Sequence, residues 1–164
     1  MKNILYKLVF ILSIMWQAPQ TIIGFLFFIL CIILRKDINK NPVKYYDPRV
    51  AKYDFPMKSY YKWHKHTIIT YTPLVSSGIS LGCFIFINPF SLYVNTVYYG
   101  VNTESHEFGH SIQELILGWL YLLVIGIPSY IRSLIWYYDI TKKPEDYNKG
   151  YPENWAERLG KKFY

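Results

Sequence analysis

The chain has 164 residues, of which 52% are hydrophobic, 20% aromatic and 18% charged. That length allows one domain with a membrane segment attached, and the balance is more apolar and less charged than in an ordinary soluble domain. The net charge of +7 comes with no stacking motif or nucleic-acid module, which argues against nucleic-acid binding; two cysteines argue against a disulfide framework and exclude paired-cysteine zinc sites.

From Ile4 to Leu34 the sequence is nearly all apolar, interrupted by Lys7, Gln17, Pro19 and Gln20. A bilayer span needs about 20 residues, so residues 1–35 are read as a membrane anchor. A cleaved signal peptide is the rival reading, with Lys2 and Lys7 as its charged region and Leu8 to Trp16 as its apolar core. Against it, apolar character resumes at once as TIIGFLFFILCIIL, which a simple secretory signal does not do. Pro19 removes a backbone donor, so the run either kinks or turns back as a hairpin. Cys31 here and Cys83 further on read as small buried hydrophobes.

Nine of the eighteen Lys and Arg residues fall between Arg35 and Lys65, and none lies between His66 and Ile131. A basic stretch directly after an apolar run suits anionic lipid headgroups and favours the cytoplasmic face. Seventeen tyrosines and five tryptophans also suit a lipid–water boundary, where rings with one wet end are favoured. Pro42 and Pro48 make residues 35–65 a loop or extended connector. HKHTIITYT and ISLGCFIFIN, separated by the turn-prone PLVSSG, have strand composition. PFSLYVNTVYYGVN adds short strands or irregular structure before Thr103 and Glu104 open a helix, with Asn102 or Thr103 as N-cap.

That helix carries HEFGH at 106–110. His106 and His110 share one helix face, and a Glu directly after the first His, here Glu107, is the usual general base of a zinc hydrolase. Catalytic zinc takes three protein ligands and leaves a fourth position for water. Cys83 could complete the set only by an unusual arrangement, and His64 and His66 lie upstream in the basic region. The helix runs on into LILGWLYLLVIGIPSYIRSLIWYY, again long enough for a span. TKKPEDYNKGYP reads as a loop, and ENWAERLGKKF as a short closing helix with Pro152 near its start.

An HExxH helix followed tens of residues later by Glu-x-x-Ala and an acidic residue, here Glu153-Asn154-Trp155-Ala156-Glu157, resembles the gluzincin metallopeptidases. It looks closest to their membrane-associated branch of prenyl-protein and heat-shock endopeptidases. The resemblance implies that Glu153 is the third Zn2+ ligand. It also implies that Glu157 orients a zinc histidine from behind, although Glu stands where the family has Asp and its arm is longer. Finally, it implies that an extended peptide pairs with an edge strand ahead of the motif helix, within ISLGCFIFIN.

Glu153 must then come back to the imidazoles. A straight helix from Leu115 to Trp136 extends about 33 Å at 1.5 Å per residue and strands Glu153 on the far side, because the charged loop cannot recross the bilayer. The expected solution is a break at GIPS, 126–129: the motif helix dives toward the bilayer, reverses near Pro128 and returns, with Arg132 facing protein or headgroups. The expected fold is α+β. A membrane anchor over 1–35 precedes one zincin-like domain over 36–164, with a small antiparallel or mixed sheet, an apolar re-entrant or hairpin segment at 115–138 and a C-terminal helix. The expected function is membrane-associated, zinc-dependent hydrolysis of a peptide or protein substrate, with Glu107 as general base and membrane lipids as neighbours. The oxyanion stabiliser stays open among His64, His66, Tyr137 and Tyr151, and so does the oligomeric state. The competing readings are a non-catalytic membrane protein or accessory subunit with a structural zinc site, and a small membrane-active protein whose motif is accidental.

Overall fold

In the computed structural model, which describes residues 2–34, 60–89, 91, 102–138 and 147–164, the chain from Tyr60 to Ile87 forms two strand hairpins. Most of the basic connector (35–59), the strands expected in 92–101 and the loop at 139–146 lie outside the described residues. Strands β1 (Tyr60–His64) and β2 (Thr67–Tyr71) pair antiparallel, as do β3 (Gly78–Leu81) and β4 (Phe84–Ile87). β2 and β4 pair parallel, giving a four-stranded mixed sheet in the order β1-β2-β4-β3.

Two expectations are corrected here. ISLGCFIFIN is not one strand, because Gly82 takes a φ of +66° and turns the run back on itself, a conformation that costs glycine little. And β1 lies within the stretch read as connector: its outward Lys62 and exposed Trp63 hide the apolar alternation that marks a half-buried strand.

The central strands are covered on both faces, which is why they read as apolar runs. Ile69, Tyr71, Ile85 and Ile87 pack against Phe108 and Ile112 of the motif helix. Ile68, Phe84 and Phe86 pack against Cys31, Phe27 and Phe28 on the other side. These last three belong to α2 (Ala18–Leu34), which follows α1 (Lys2–Trp16). The two helices are bent by 108° where they meet at Gln17. Pro19 falls in the first turn of α2, where a missing N–H breaks no helical bond. The molecule is therefore α+β: helix α2, sheet and motif helix are stacked in layers.

The motif helix α3 (Thr103–Leu117) starts at Asn102, whose side chain accepts from Ser105 N at 3.0 Å. It ends at Gly118, with φ +57°. Its last carbonyls find donors far away in sequence: Trp16 Nε1 donates to Leu115 O at 3.0 Å and Gln20 Nε2 to Gly118 O at 2.7 Å. A 3-10 turn (Gly118–Leu120) and a π turn (Leu122–Gly126) lead into α4 (Ile127–Tyr138), and the path bends by 119° between Leu120 and Leu122.

The reversal is therefore at Gly118–Tyr121 and not near Pro128. Pro128 sits in the first turn of α4. The carbonyl it would leave unpaired four residues back, Val124 O, accepts from the Tyr151 hydroxyl at 2.6 Å. Among the described residues no single helix is long and apolar enough to cross a membrane; two bent pairs, α1 with α2 and Thr103–Leu120 with Leu122–Trp136, have the length and composition together. The C-terminal helix α5 (Glu153–Phe163) lies across α3.

Candidate metal centre

The site is built where α3 crosses α5, and small residues set the distance. A Cβ at Gly109 would lie 1.9 Å from Ala156 O, and one at Gly160 would lie 2.0 Å from Ser105 O. Ser105 and Gly109, like Ala156 and Gly160, are one turn apart, so each helix presents a stripe without bulk and the backbones touch. Contact this close brings the first turn of α5 onto the imidazoles of α3.

Glu153 Oε2 lies 2.9 Å from His106 Nε2 and 3.1 Å from His110 Nε2. All three side chains are buried, and their facing atoms lie within 4.8 Å of one another, so this His/His/Glu group could hold a metal ion. The outer nitrogens are occupied. His106 Nδ1 meets Glu157 Oε2 at 3.2 Å, and His110 Nδ1 meets Gln113 Oε1 at 2.8 Å. Both partners are acceptors, so the protons sit on Nδ1 and the Nε2 lone pairs point inward, the tautomer a metal requires. Two inward lone pairs and an anionic oxygen at such distances need a proton or a cation among them. The donor set fits a metal for that reason.

Without one, the proton does that work. Burial disfavours an imidazolium at His106, but the carboxylates of Glu153 and Glu157 outweigh it and hold its pKa up at about 10. Burial likewise opposes charge on Glu153, yet the two imidazoles and Ser129 keep its carboxyl well below the ordinary range. Glu157 is drawn down to about 2, first by His106 and then, against partial burial, by Lys161 at 3.0 Å.

Glu107 points from α3 toward the edge strand. A Cβ at Gly78, the first residue of β3, would lie 2.4 Å from Glu107 Oε1. Glycine there is what leaves room for the carboxyl. Burial raises the Glu107 pKa, the direction that lets a carboxyl take up a proton nearer neutral pH. A cleft of about 1000 Å³ opens above these residues, bounded by β3 on one side and α4 on the other. Its walls include Leu74, Ile79, Leu81, Leu122 and Trp136, and it contains the hydroxyl-bearing Tyr121 and Tyr147.

The oxyanion candidates do not gather here. His64 stacks on Tyr164, with centroids 4.5 Å apart. His66 is buried beside Ser111, at 3.4 Å. Tyr151 is taken by Val124 O, and the Tyr137 side chain lies outside the described residues. Cys83 is buried against Thr21 at 3.9 Å, apart from the ligand group.

Reading the sequence alone missed Gln113, Ser129, Gly78, Tyr121 and Tyr147. Gln113 had a signal, since it stands three residues after His110 on the same helix. Ser129 donates to Glu153 Oε1 at 2.6 Å across the fold, and nothing local marks it. Arg132 faces protein: its Nε donates to Tyr147 O at 2.8 Å.

No protein-family model, curated protein or solved structure matches the chain.

Proposed function

We propose that this chain is a membrane-associated zinc metallopeptidase with a minimal zincin-like domain of the gluzincin kind. One observation carries the reading: two imidazole Nε2 atoms and one oxygen of Glu153 converge beside a buried glutamate, under β3, the edge strand of the sheet among the described residues. His106, His110 and Glu153 would hold the ion, with Glu157 and Gln113 keeping the imidazoles in the required tautomer. A bound Zn2+ supplies Lewis acidity to a water molecule and to the scissile carbonyl.

The remaining steps belong to the chain itself. Among the described residues β3 pairs with β4 alone, and its residues line the cleft, so an extended peptide can add to it through backbone hydrogen bonds. Glu107 accepts a proton from the attacking water as the C–O bond forms. It then delivers that proton to the amide nitrogen as the C–N bond breaks. The phenols of Tyr121 and Tyr147 are among the neutral donors lining the cleft, and that of Tyr147 faces Ser129 and Glu153.

Membrane association rests on the outer surface. Ile4, Leu8, Ile11, Met15, Ile23 and Leu26 of the N-terminal helices, and Ile131 and Ile135 of α4, are all exposed. Apolar patches of this extent mark contact with protein or lipid. In this reading the α3–α4 bend dips into the bilayer and returns, so His106 and Glu153 stay on one side, with the basic 35–65 stretch favouring the cytoplasmic face. Cysteine labelling near Thr103 and Lys149 tests the topology; reaction from opposite sides contradicts it.

The functional test uses purified protein. Wild type should carry one equivalent of zinc and hydrolyse peptides, Glu107→Gln should keep the zinc and lose hydrolysis, and His110→Ala should lose both. Wild type without stoichiometric metal overturns the reading. Zinc retained in a wild type that hydrolyses nothing favours the alternative, a non-catalytic protein with a structural zinc site.

A further inference from the structure

We propose that Ser129 is a positioning residue that keeps Glu153 a one-oxygen ligand and so preserves the open coordination position; this rests on the metallopeptidase reading above. The two oxygens of Glu153 are used differently. Oε2 faces both imidazoles, at 2.9 and 3.1 Å, whereas Oε1 accepts the Ser129 hydroxyl at 2.6 Å. A carboxylate free to rotate can offer both oxygens to a cation. Held through Oε1, it offers one. Two imidazoles and one oxygen leave a tetrahedral ion one position for water, and a second carboxylate oxygen would crowd that position by raising the coordination number to five.

The hydroxyl comes from α4, the apolar segment, and not from the helix that bears Glu153. Several contacts hold α4 in register with the chain just ahead of Glu153. Arg132 Nε donates to Tyr147 O at 2.8 Å, and the same guanidinium lies over Gly150, where a Cβ would be 2.3 Å from Nη1. Tyr151 donates to Val124 O at 2.6 Å, the carbonyl that Pro128 cannot serve. Ser129 follows Pro128 directly. The irregular start of α4 is thus part of the support for the ligand. The imidazoles are braced from α3 and α5, by Gln113 and Glu157; the carboxylate is braced from α4 by Ser129, beside the Tyr147 phenol that also faces it.

The test uses the full chain in detergent, as wild type, Ser129→Ala, Ser129→Thr and Ser129→Val. Thr and Val have nearly the same shape, so their difference reports the hydroxyl and not the packing. Two readouts are independent of turnover. One is Zn2+ affinity by chelator competition. The other is the visible absorption of the Co2+-loaded protein, which is intense for four-coordinate and weak for five-coordinate metal. Thr should match wild type. Ala and Val should bind Zn2+ about 10–100-fold more weakly, the usual cost of losing such support, and their Co2+ bands should weaken. A Val variant that matches wild type in both readouts overturns the assignment and leaves the metal site standing. Equal losses in Thr and Val also overturn it, by showing that only packing matters. Wild type that takes up neither ion overturns the metallopeptidase reading instead.

Discussion

Gly109 and Ala156 meet backbone to backbone: a Cβ on the glycine would sit 1.9 Å from the alanine carbonyl oxygen. Gly109 lies inside HEFGH, at a position the zinc motif leaves open, yet the contact with α5 admits no side chain there. Gly109→Ala should therefore separate α3 from α5, draw Glu153 off the imidazoles and abolish stoichiometric zinc, although every ligand is still present. Overpacking of this kind typically costs about 1–3 kcal/mol. Metal analysis with thermal melting checks it; a variant that binds zinc normally contradicts the crossing.

Gly78 should separate metal binding from proton transfer. Its missing side chain leaves the space that the Glu107 carboxyl fills. In Gly78→Val, Glu107 must swing away while His106, His110 and Glu153 keep their places. Zinc content should stay near wild type and peptide hydrolysis should fall by roughly the 10²–10⁴-fold of a lost general base. Equal loss of zinc and activity would place Gly78 in support of the fold instead.

Metal binding should release protons. His106 is held up at about 10, against an ordinary 6.5. In the metal-free protein its contribution to stability is full below about pH 6.5 and is lost as pH rises through about 10. At neutral pH a cation must displace that proton, so zinc affinity should climb about tenfold per pH unit between roughly 7 and 9. Calorimetric titrations in buffers of different ionisation enthalpy count the protons, and a count of zero rules out the protonated form.

Mild acid should loosen the fold from the other side of α3. Burial, with help from His64 and Lys65, lowers the pKa of His66 to about 4. The unfolded chain takes up this proton near pH 6.5 and the folded one does not, so stability should fall as pH drops from about 6.5 to 4. His64 is also lowered, first by burial, and adds in the same direction. The loss should reach about 2–3 kcal/mol. His66→Leu should flatten that part of a melting-temperature profile; an unchanged slope removes His66 as its cause.

Most of the helical elements were legible because their signals are local. Asn102 before the first turn, the i, i+4 imidazoles and the apolar period of residues 4–34 are each written within a few residues of chain. The strands were half legible. Composition marked β2 and β4, but Gly82 was needed to divide one run into two strands, and a glycine within an apolar run marks a turn, a bulge or a close approach equally well. The position of the helix reversal was misread because GIPS looks like a turn. Pro128 instead sits in the first turn of α4, where Tyr151 satisfies the carbonyl it leaves, while the bend occurs where Trp16 and Gln20 cap α3.

The amino-acid order alone determined which chemistry is on offer: two imidazoles one turn apart, a carboxylate beside the first of them, and an acid-bearing helix downstream. Those features depend on identity and short spacing, which a linear chain displays directly. Tertiary structure alone decided how near the carboxylate comes, which of its oxygens faces inward, and why Gly78, Gly109 and Ser129 stand where they do. These depend on contacts between segments tens of residues apart, and the room left by a missing side chain has meaning only once the neighbour that fills it has arrived.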